Sequence, residues 1–478
     1  MRLSKLSVLS ESEIHQIHES SISILEECGV KILDGQTLDF LKAKGCRTDA
    51  AARIARFSRA MIEDAVSAVP ERFDVFDRGG RFAYTIGDRT PKFAAGHNAV
   101  NWVDSITGET RASTIADVEG FARLCQNLEC IDMIGIPVMP QDAAKPEASL
   151  LYGAKAVIEN SEKPIYFSTD SPLINSNVIK MLKAAFNGDL QTQTYGISQL
   201  SSTSPLYWEK GVLRALKQTT TTGVPVALLP EPIAGVSAPY TLAGLLTMHN
   251  TECLSGITLL QLFHPGCKLM YGASWTASNM LNGAALVGST ETSLCRIAGT
   301  QLAQYYNVPS HTTAPNSDNH SHDEQNAWEK TLSMFCAVAV QTDLIVNCGM
   351  FATGMTCSNE QLLMDEAISA YSRRIAGGIE VTAETIASEL IKERGPQGET
   401  YLTADHTLQW LRSQEYVKPR LTVTGPYAAW RQSGGKDTYE LAREQAENMQ
   451  DIPVPGLDRK RKARLQEIVE DFRIEPGK

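Results

Sequence analysis

The residues best suited to chemistry lie in short polar loops that follow apolar segments of strand length. Three of these loops are residues 230–232, 273–276 and 312–318. Hydroxyls, amides, carboxylates and aromatic rings dominate the loops, whereas lysine and arginine are nearly absent from them. A phosphorylated ligand requires cations or a glycine-rich nest of backbone amides. The composition therefore favours a cationic, zwitterionic or uncharged ligand.

Five aromatic residues, two in a predicted antiparallel flap and three near the ends of predicted strands, could together form a cage around a quaternary ammonium ion. Aromatic ring faces attract cations, and a shortage of competing lysine and arginine side chains suits such a cage. Packing in the core is the alternative for each ring taken alone, so the hypothesis depends on the whole set. The five residues are Phe93, Trp102, Tyr195, Trp275 and Phe351.

Groups for acid–base or nucleophilic chemistry are few. Glu231 and Glu291 are candidate general acids or bases, and Glu291 could equally cap or orient a loop. Cys348 follows an apolar run and could be reactive, with packing in the core as the alternative. The Gly-x-Ser-x-Gly motif of serine hydrolases does not occur in the sequence.

Residues 318–323 (DNHSHD) form a local cluster of histidines and aspartates. Zinc sites commonly use wider spacings, so we expect no bound metal there. The segment also approaches the Asp-x-His-x-x-Gly motif of cobalamin-carrying proteins, but Asp323 stands where the glycine is required. We therefore discard that match.

Apolar runs of strand length recur along the chain, and most are followed by a loop and a helical pattern, which predicts repeated β-α units. Eight units would form a closed (β/α)8 barrel, whereas six or seven would fit a doubly wound sheet. We favour the α/β TIM barrel because no Gly-x-Gly-x-x-Gly motif follows the first strand. The runs begin near Ile131, Pro164, Thr194, Pro225, Lys268, Pro309 and Leu344, with a weaker eighth at residues 399–403.

The last of the strong runs, in residues 343–358, shows the complete unit. An apolar strand is followed by a glycine-containing loop, and Ser358 is then a candidate N-cap for a helix. In a barrel the C-terminal ends of the strands face the active site, so we expect this loop to form part of a binding pocket.

The chain divides into four predicted regions. Two of them flank the barrel with helices and one contributes short alternating strands separated by turn signals. They are an N-terminal helical segment at 1–75, a small antiparallel flap at 76–112, the barrel at 113–403 and C-terminal helices at 404–478.

Composition excludes several other classes of protein. With 478 residues, 43% hydrophobic and 21% charged, the sequence is typical of a soluble globular protein, and its net charge of -11 argues against a nucleic-acid surface. We see no apolar span of membrane length and no signal peptide, and the ten cysteines include no Cys-x-x-Cys pair. We expect a cytoplasmic protein with reduced thiols, acting as a homo-oligomer without nucleic-acid or membrane partners.

Three segments resemble the trimethylamine methyltransferase family. They read GHNAVNWVDSITGETRASTIADV at 96–118, YGASWTASNMLNGAALVGSTETSL at 271–294 and CGMFATGMTCSNEQLLMDE at 348–366. Archaeal members that act on trimethylamine carry pyrrolysine in the loop that corresponds to residues 351–354. This chain has ordinary residues there, so it is more similar to the branch of the family without pyrrolysine.

The resemblance implies a barrel that moves a methyl group from a quaternary amine, above all glycine betaine, to the Co(I) centre of a separate corrinoid protein. A tertiary amine such as dimethylglycine would remain. The corrinoid would belong to the partner, so this chain would bind no cofactor and need no covalent nucleophile. Donors for a substrate carboxylate would be His97, Asn98, Asn316, His320, Asn347 and the backbone amides near Gly349.

Several alternatives stay open at this point. Proline betaine, carnitine or a choline-like amine could replace glycine betaine. A barrel that binds a betaine without transferring a methyl group belongs to a different functional class. An enzyme that uses S-adenosylmethionine is the least favoured, because no glycine-rich nucleotide loop follows a first strand.

Overall fold

A closed barrel of parallel strands forms the centre of the molecule. The strands follow one another around the barrel in chain order, and the last pairs with the first. The barrel strands are β1 (Lys92–Ala95), β2 (Met133–Gly135), β3 (Ile165–Ser168), β4 (Gly196–Leu200), β5 (Val226–Leu228), β6 (Leu269–Ala273), β7 (Ser310–Thr313) and β8 (Leu344–Cys348). The predicted (β/α)8 barrel is confirmed.

The computed structural model describes residues 6–413, 415–417, 420–450 and 452–473. Parts of the predicted terminal segments, 1–75 and 404–478, therefore lie outside the described residues. Within the described part, no helix is long and apolar enough to span a bilayer.

A helix follows each barrel strand. Most of these helices start at a residue whose side chain accepts a hydrogen bond from the first turn, such as Ser289, Asp323 and Ser358. Because a cap fixes where a helix begins, it also fixes the length of the loop above the preceding strand. The helices are α1 (Ile115–Gln126), α2 (Ser149–Asn160), α3 (Pro172–Ala185), α4 (Lys210–Thr219), α5 (Leu242–Phe263), α6 (Thr290–Tyr305), α7 (Glu324–Ala339) and α8 (Asn359–Gly377).

An apolar hairpin closes the end of the barrel at which the strands begin. Its strands, Phe73–Phe76 and Phe82–Ile86, pair antiparallel, and Gly87 at its end donates a backbone hydrogen bond to Asp343, just before β8. The hairpin side chains share one cluster with inward-facing residues of the barrel. That cluster contains Phe73, Val75, Tyr84, Ile86, Ala94, Met133, Tyr166, Ile197, Ala227, Met270, Leu344 and Val346.

A small flap lies at the opposite end. Asn101–Val103, which follows β1, pairs antiparallel with Thr110–Ala112 and parallel with Thr356–Cys357. Thr356–Cys357 in turn pairs antiparallel with Met350–Phe351 in the loop after β8. The flap therefore joins the first and last units of the barrel.

Two strand predictions are wrong. Residues 92–95 were predicted as a strand of the flap, but they form β1, because the sequence of a short strand does not show with which strands it pairs. Residues 399–403 form no strand, and all five are exposed, so they have no sheet to bury them. The barrel therefore begins inside the region predicted as flap.

The remaining elements surround the barrel. The first helix packs on α5, and the last two pack on α1 and α8 and on α2 and α3. The N-terminal part, predicted as helical, also contains short strands that form a sheet with Tyr207–Trp208. These elements are the helices Glu11–Glu27, Gly35–Ala43, Arg59–Ser67, Ala383–Ile386, Ser388–Arg394, Asp405–Trp410, Tyr427–Gln432, Thr438–Gln450 and Arg459–Asp471, the 3-10 turns Pro146–Ala148 and Gly395–Gln397, and the strands Val30–Ile32, Arg47–Asp49, Ile54–Arg56, Ala277–Ser278 and Ala285–Leu286.

Candidate functional site

Three side chains from neighbouring units form a hydrogen-bonded chain at the end of the barrel where the strands end, which we call the mouth. His97 lies just after β1, Asn347 in β8 and Asn316 just after β7. His97 Nδ1 is 3.1 Å from Asn347 Oδ1, and Asn347 Nδ2 donates to Asn316 Oδ1 over 3.0 Å. Asn316 Nδ2 then donates to the Thr313 carbonyl over 2.7 Å. These hydrogen bonds connect β1 and β8, the two strands whose pairing closes the barrel, with the end of β7.

These three hydrogen bonds fix the position of the proton on His97. A carbonyl can only accept, so Asn316 must present its amide nitrogen to Thr313 and its oxygen to Asn347. Asn347 must then present its oxygen to His97, which leaves Nδ1 of the imidazole as the donor. Burial lowers the pKa of His97, and its hydrogen bonds to Asn347 and Gln199 offset part of that shift. We therefore expect neutral His97 with its proton on Nδ1.

A second polar layer lies inside the barrel beneath His97. The rings of His97 and Tyr166 are 5.5 Å apart in an edge-to-face contact, and Tyr166 is 6.4 Å from His311. The Tyr166 hydroxyl donates to Gln199 Oε1 over 2.6 Å. Burial lowers the pKa of His311 to about 3, and its Nδ1 has no partner among the described residues. These neutral polar groups form the floor of the mouth.

Glu231 supplies negative charge at the mouth. It follows β5, and its carboxylate accepts a 2.9 Å hydrogen bond from Ser274, whose hydroxyl is also 3.0 Å from that of Thr313. Glu231 is exposed, although protein surrounds it closely enough for desolvation to raise its pKa. Ser274 and the more distant Arg296 oppose that rise. An accessible carboxylate in partly desolvated surroundings is suited to binding a cation.

Five of the predicted ligand-binding residues come together at the mouth. Asn98 joins the set through its amide, which donates to the Ser168 carbonyl at the end of β3 over 2.9 Å. His97, Asn98 and Glu231 keep exposed surface, whereas two others are largely buried. The five are His97, Asn98, Glu231, Asn316 and Asn347.

Three of the predicted cage aromatics lie outside the barrel wall. Phe93 packs beneath the Arg373 guanidinium, whose carbon is 4.2 Å from the ring centroid. Tyr195 precedes β4 and stacks on Phe186 with the ring centroids 5.2 Å apart. Trp275 is fully buried, 3.9 Å from the ring of His249 on α5. The prediction that Phe93, Tyr195 and Trp275 converge on one pocket is therefore wrong.

The other predicted residues lie in the flap or at the surface. Trp102 packs edge to face on Phe121 of α1, and Phe351 contacts the ring of His322, so both rings are used within the fold. His320 is exposed in the loop before α7. An aromatic cage built from the predicted set is absent from the described residues.

Two candidate reactive residues have structural roles. Cys348 is fully buried, and desolvation raises the pKa of its thiol well above the ordinary value, so it is not poised as a thiolate. Glu291 lies exposed in the first turn of α6, where a carboxylate stabilises a helix start. In the described part of the chain, no three or more histidine, cysteine or carboxylate side chains are grouped to hold a metal ion.

Sequence reasoning missed Tyr166, Gln199 and His311, which lie within strands rather than after them. A polar residue in an otherwise apolar run was the available signal.

The structure is a (β/α)8 barrel with an acidic, amide-rich mouth. That arrangement defines the class of protein, a (β/α)8 barrel whose mouth is suited to a small cationic or polar ligand.

Comparison with known proteins identifies the family. The family model "Trimethylamine methyltransferase (MTTB)" matches residues 1–475, nearly the whole chain. The chain therefore belongs to the trimethylamine methyltransferase family, and the predicted family is confirmed. Its relatives are named methyltransferases, so this protein is an enzyme of that class.

Two relatives from Desulfitobacterium hafniense illustrate the range of the family. A trimethylamine methyltransferase is 30% identical over 478 residues, 99% of this chain and 95% of the relative. A glycine betaine methyltransferase is 26% identical, covering 98% of this chain and 97% of the relative. The monomethylamine methyltransferase of Methanosarcina barkeri has a similar fold, with a TM-score of 0.53 at 12% identity over 93% of this chain and 89% of that one.

Proposed function

We propose that this protein transfers a methyl group from a quaternary amine, with glycine betaine as the first candidate, to the Co(I) centre of a separate corrinoid protein. The observation that carries the proposal is the accessible Glu231 carboxylate at the mouth, without an ion pair among the described residues. The glycine betaine methyltransferase relative supports the choice of substrate. The ordinary residues at 351–354 also support an amine that needs no electrophilic side chain.

The reaction is a displacement at carbon. The electron pair of Co(I) attacks one methyl carbon, the C–N bond breaks, and its electrons stay on the nitrogen of the departing tertiary amine. A quaternary nitrogen already carries the charge that makes it a leaving group, so no general acid is required. The chain must bind the cation, exclude water and hold one methyl toward the opening.

Glu231 acts on binding more than on rate in this account. The positive charge on nitrogen disappears as the methyl leaves, so a nearby carboxylate stabilises the substrate more than the transition state. His97 and the two asparagines shape the opposite side of the mouth. Their fixed hydrogen bonds keep the polar groups oriented before the substrate arrives.

The choline-like alternative is favoured by a specific observation. Three of the predicted donors for a substrate carboxylate are already engaged, since Asn98 donates to Ser168, Asn347 to Asn316 and Asn316 to Thr313. A substrate with a hydroxyl instead of a carboxylate would need fewer free donors. Proline betaine and carnitine remain candidates of the same reaction class.

Mixing the purified protein with Co(I) corrinoid protein and each candidate amine tests the proposal. We expect the cobalt spectrum to change to that of methyl-Co(III) with at least one of glycine betaine, choline, carnitine or proline betaine. Isothermal calorimetry on the same amines identifies a binder. Micromolar binding without methylation would favour the non-catalytic betaine-binding barrel, and no response in either assay would reject both.

A further inference from the structure

A fully buried ion pair lies directly behind the mouth. The ammonium of Lys330 on α7 is 2.9 Å from Asp365 Oδ2 on α8, and neither side chain has exposed surface. Lys330 also approaches the Pro315 carbonyl at 3.3 Å, while the same Asp365 oxygen accepts the Gly349 N–H over 2.7 Å. Gln361 donates to the other Asp365 oxygen over 2.9 Å. The pair therefore ties the loop after β7 to the loop after β8.

The two asparagines of the mouth lie in or beside these loops, Asn316 in the loop after β7 and Asn347 near the end of β8. Pro315 immediately precedes Asn316, and Gly349 lies two residues after Asn347. The Asn316 and Asn347 amides bond each other, and Asn347 orients His97. A shift of either loop would change the hydrogen bond that sets the His97 tautomer.

The backbone around Asn347 needs such support. Asn347 has a φ of 103°, outside the usual regions for a residue with a side chain, and Gly349 has a φ of 89°. The pairing of β8 with β1 also shifts register between Val346 and Cys348. Strained backbone of this kind persists only where its surroundings hold it, and it concentrates at functional sites.

A buried ion pair is weak evidence of a contribution to stability. Desolvating two charges is expensive, and replacing a buried ion pair with apolar residues is often neutral or stabilising. By contrast, a charged anchor with several fixed hydrogen bonds holds neighbouring backbone groups in one geometry. The hydrogen bonds to Pro315 and Gly349 are bonds of that type.

We propose that Lys330 and Asp365 are positioning residues: they hold the loops after β7 and β8 so that Asn316 and Asn347 keep the His97 proton on Nδ1. Neither residue touches the substrate in this account. The proposal deepens the function proposed above, because the oriented His97 forms one side of the substrate site.

Nitrogen NMR on protein labelled with ¹⁵N-histidine tests the positioning role without any substrate. His97→Gln assigns the His97 signals, and the wild type is expected to show a neutral imidazole protonated at Nδ1. In the double variant Lys330→Met/Asp365→Leu, which removes both charges, we expect the Nδ1-protonated signal to shift or to be replaced by a tautomer mixture. Asp365→Asn is the milder variant and should give a smaller change in the same signal.

Lys163→Met is the matched control. Lys163 is another largely buried lysine, and its ammonium donates to the Leu128 and Ile131 carbonyls near the opposite end of the barrel. The control should lose stability while leaving the His97 signals and the affinity for the bound amine unchanged. The double variant Lys330→Met/Asp365→Leu should bind the amine at least tenfold more weakly than the wild type does.

The outcomes separate the two proposals. If the double variant and the Asp365→Asn variant both fold and show the wild-type His97 signals, the positioning role is overturned, whatever the substrate. If no quaternary amine binds the wild type, the proposed function fails while the NMR comparison still decides the positioning role. An equal change in the Lys163→Met control would show that general loosening moves His97, and this too would overturn the proposal.

Discussion

The two ends of the barrel differ in chemistry although the same eight strands form both. The end where the strands begin is filled by an apolar hairpin, whose Val75 and Ile86 side chains are fully buried. The end where they finish holds His97, Asn347 and the exposed Glu231. One end of the fold therefore supplies stability, and the other retains polar groups that cost stability and provide a site.

Ile86→Ala in the hairpin should give the largest effect on stability. Removing three carbons from a fully buried side chain should lower the free energy of unfolding by about 2–5 kcal/mol. The affinity of the folded protein for the amine should not change, because Ile86 lies at the far end. Denaturant unfolding and calorimetry measure the two quantities, and a parallel loss of affinity would show that the ends are not independent.

Glu231→Gln should weaken binding of the quaternary amine at least tenfold, about 1.4 kcal/mol, with little effect on stability. The rate at saturating amine should not fall, because the carboxylate stabilises the bound cation more than the transition state. Glu291→Gln, which alters an exposed carboxylate on α6, is the matched control. A fall in the saturated rate with unchanged affinity would instead assign Glu231 to the chemical step.

The neutral histidines of the mouth should make stability depend on pH. Burial lowers the pKa of His311 from its ordinary 6.5 to about 3, so between these values only the unfolded chain binds the proton. Stability therefore rises with pH across that window and is lost as the pH falls. His311→Asn should reduce the slope by up to about 1.4 kcal/mol per pH unit. An unchanged slope in denaturant unfolding at several pH values would contradict the neutral state of His311.

Trp275→Phe should have the smallest effect on binding. The indole packs on His249 outside the barrel wall, so the affinity for the amine should stay within about twofold of the wild type even if stability falls. Calorimetry on the folded variant checks this. A large loss of affinity would show that Trp275 contributes to amine binding, and it would support the predicted aromatic cage against the structure.

Sequence reasoning could predict the barrel but not all of its strands. Seven barrel strands were predicted from apolar runs, because parallel strands that are covered on both faces consist mainly of apolar residues. The first strand, Lys92–Ala95, was predicted as a strand but assigned to the flap, because it lies between two antiparallel hairpins. Residues 399–403 have the composition of a strand, but they form none because no sheet lies beside them.

The site was harder to predict because sequence gives position along a strand but not the direction of a side chain. Phe93 points outward and its neighbour Ala94 points into the barrel, a distinction that a fully buried strand conceals. Glu231 was found because it directly follows a predicted strand, whereas His97 and Asn98 lay in the region predicted as flap and were predicted only from the family resemblance. Gln199 was missed because it lies inside β4.

The cytoplasmic location, the homo-oligomer and the corrinoid partner stay predictions, and the central claim is narrower. It states that the mouth, and no other part of the molecule, binds the amine. A crystal structure with the amine identified by calorimetry tests this claim most directly. We expect the quaternary ammonium group beside Glu231, with His97 on the opposite side. Density for the amine on the outside of the barrel, or a mouth filled by a different group at saturating amine, would contradict it.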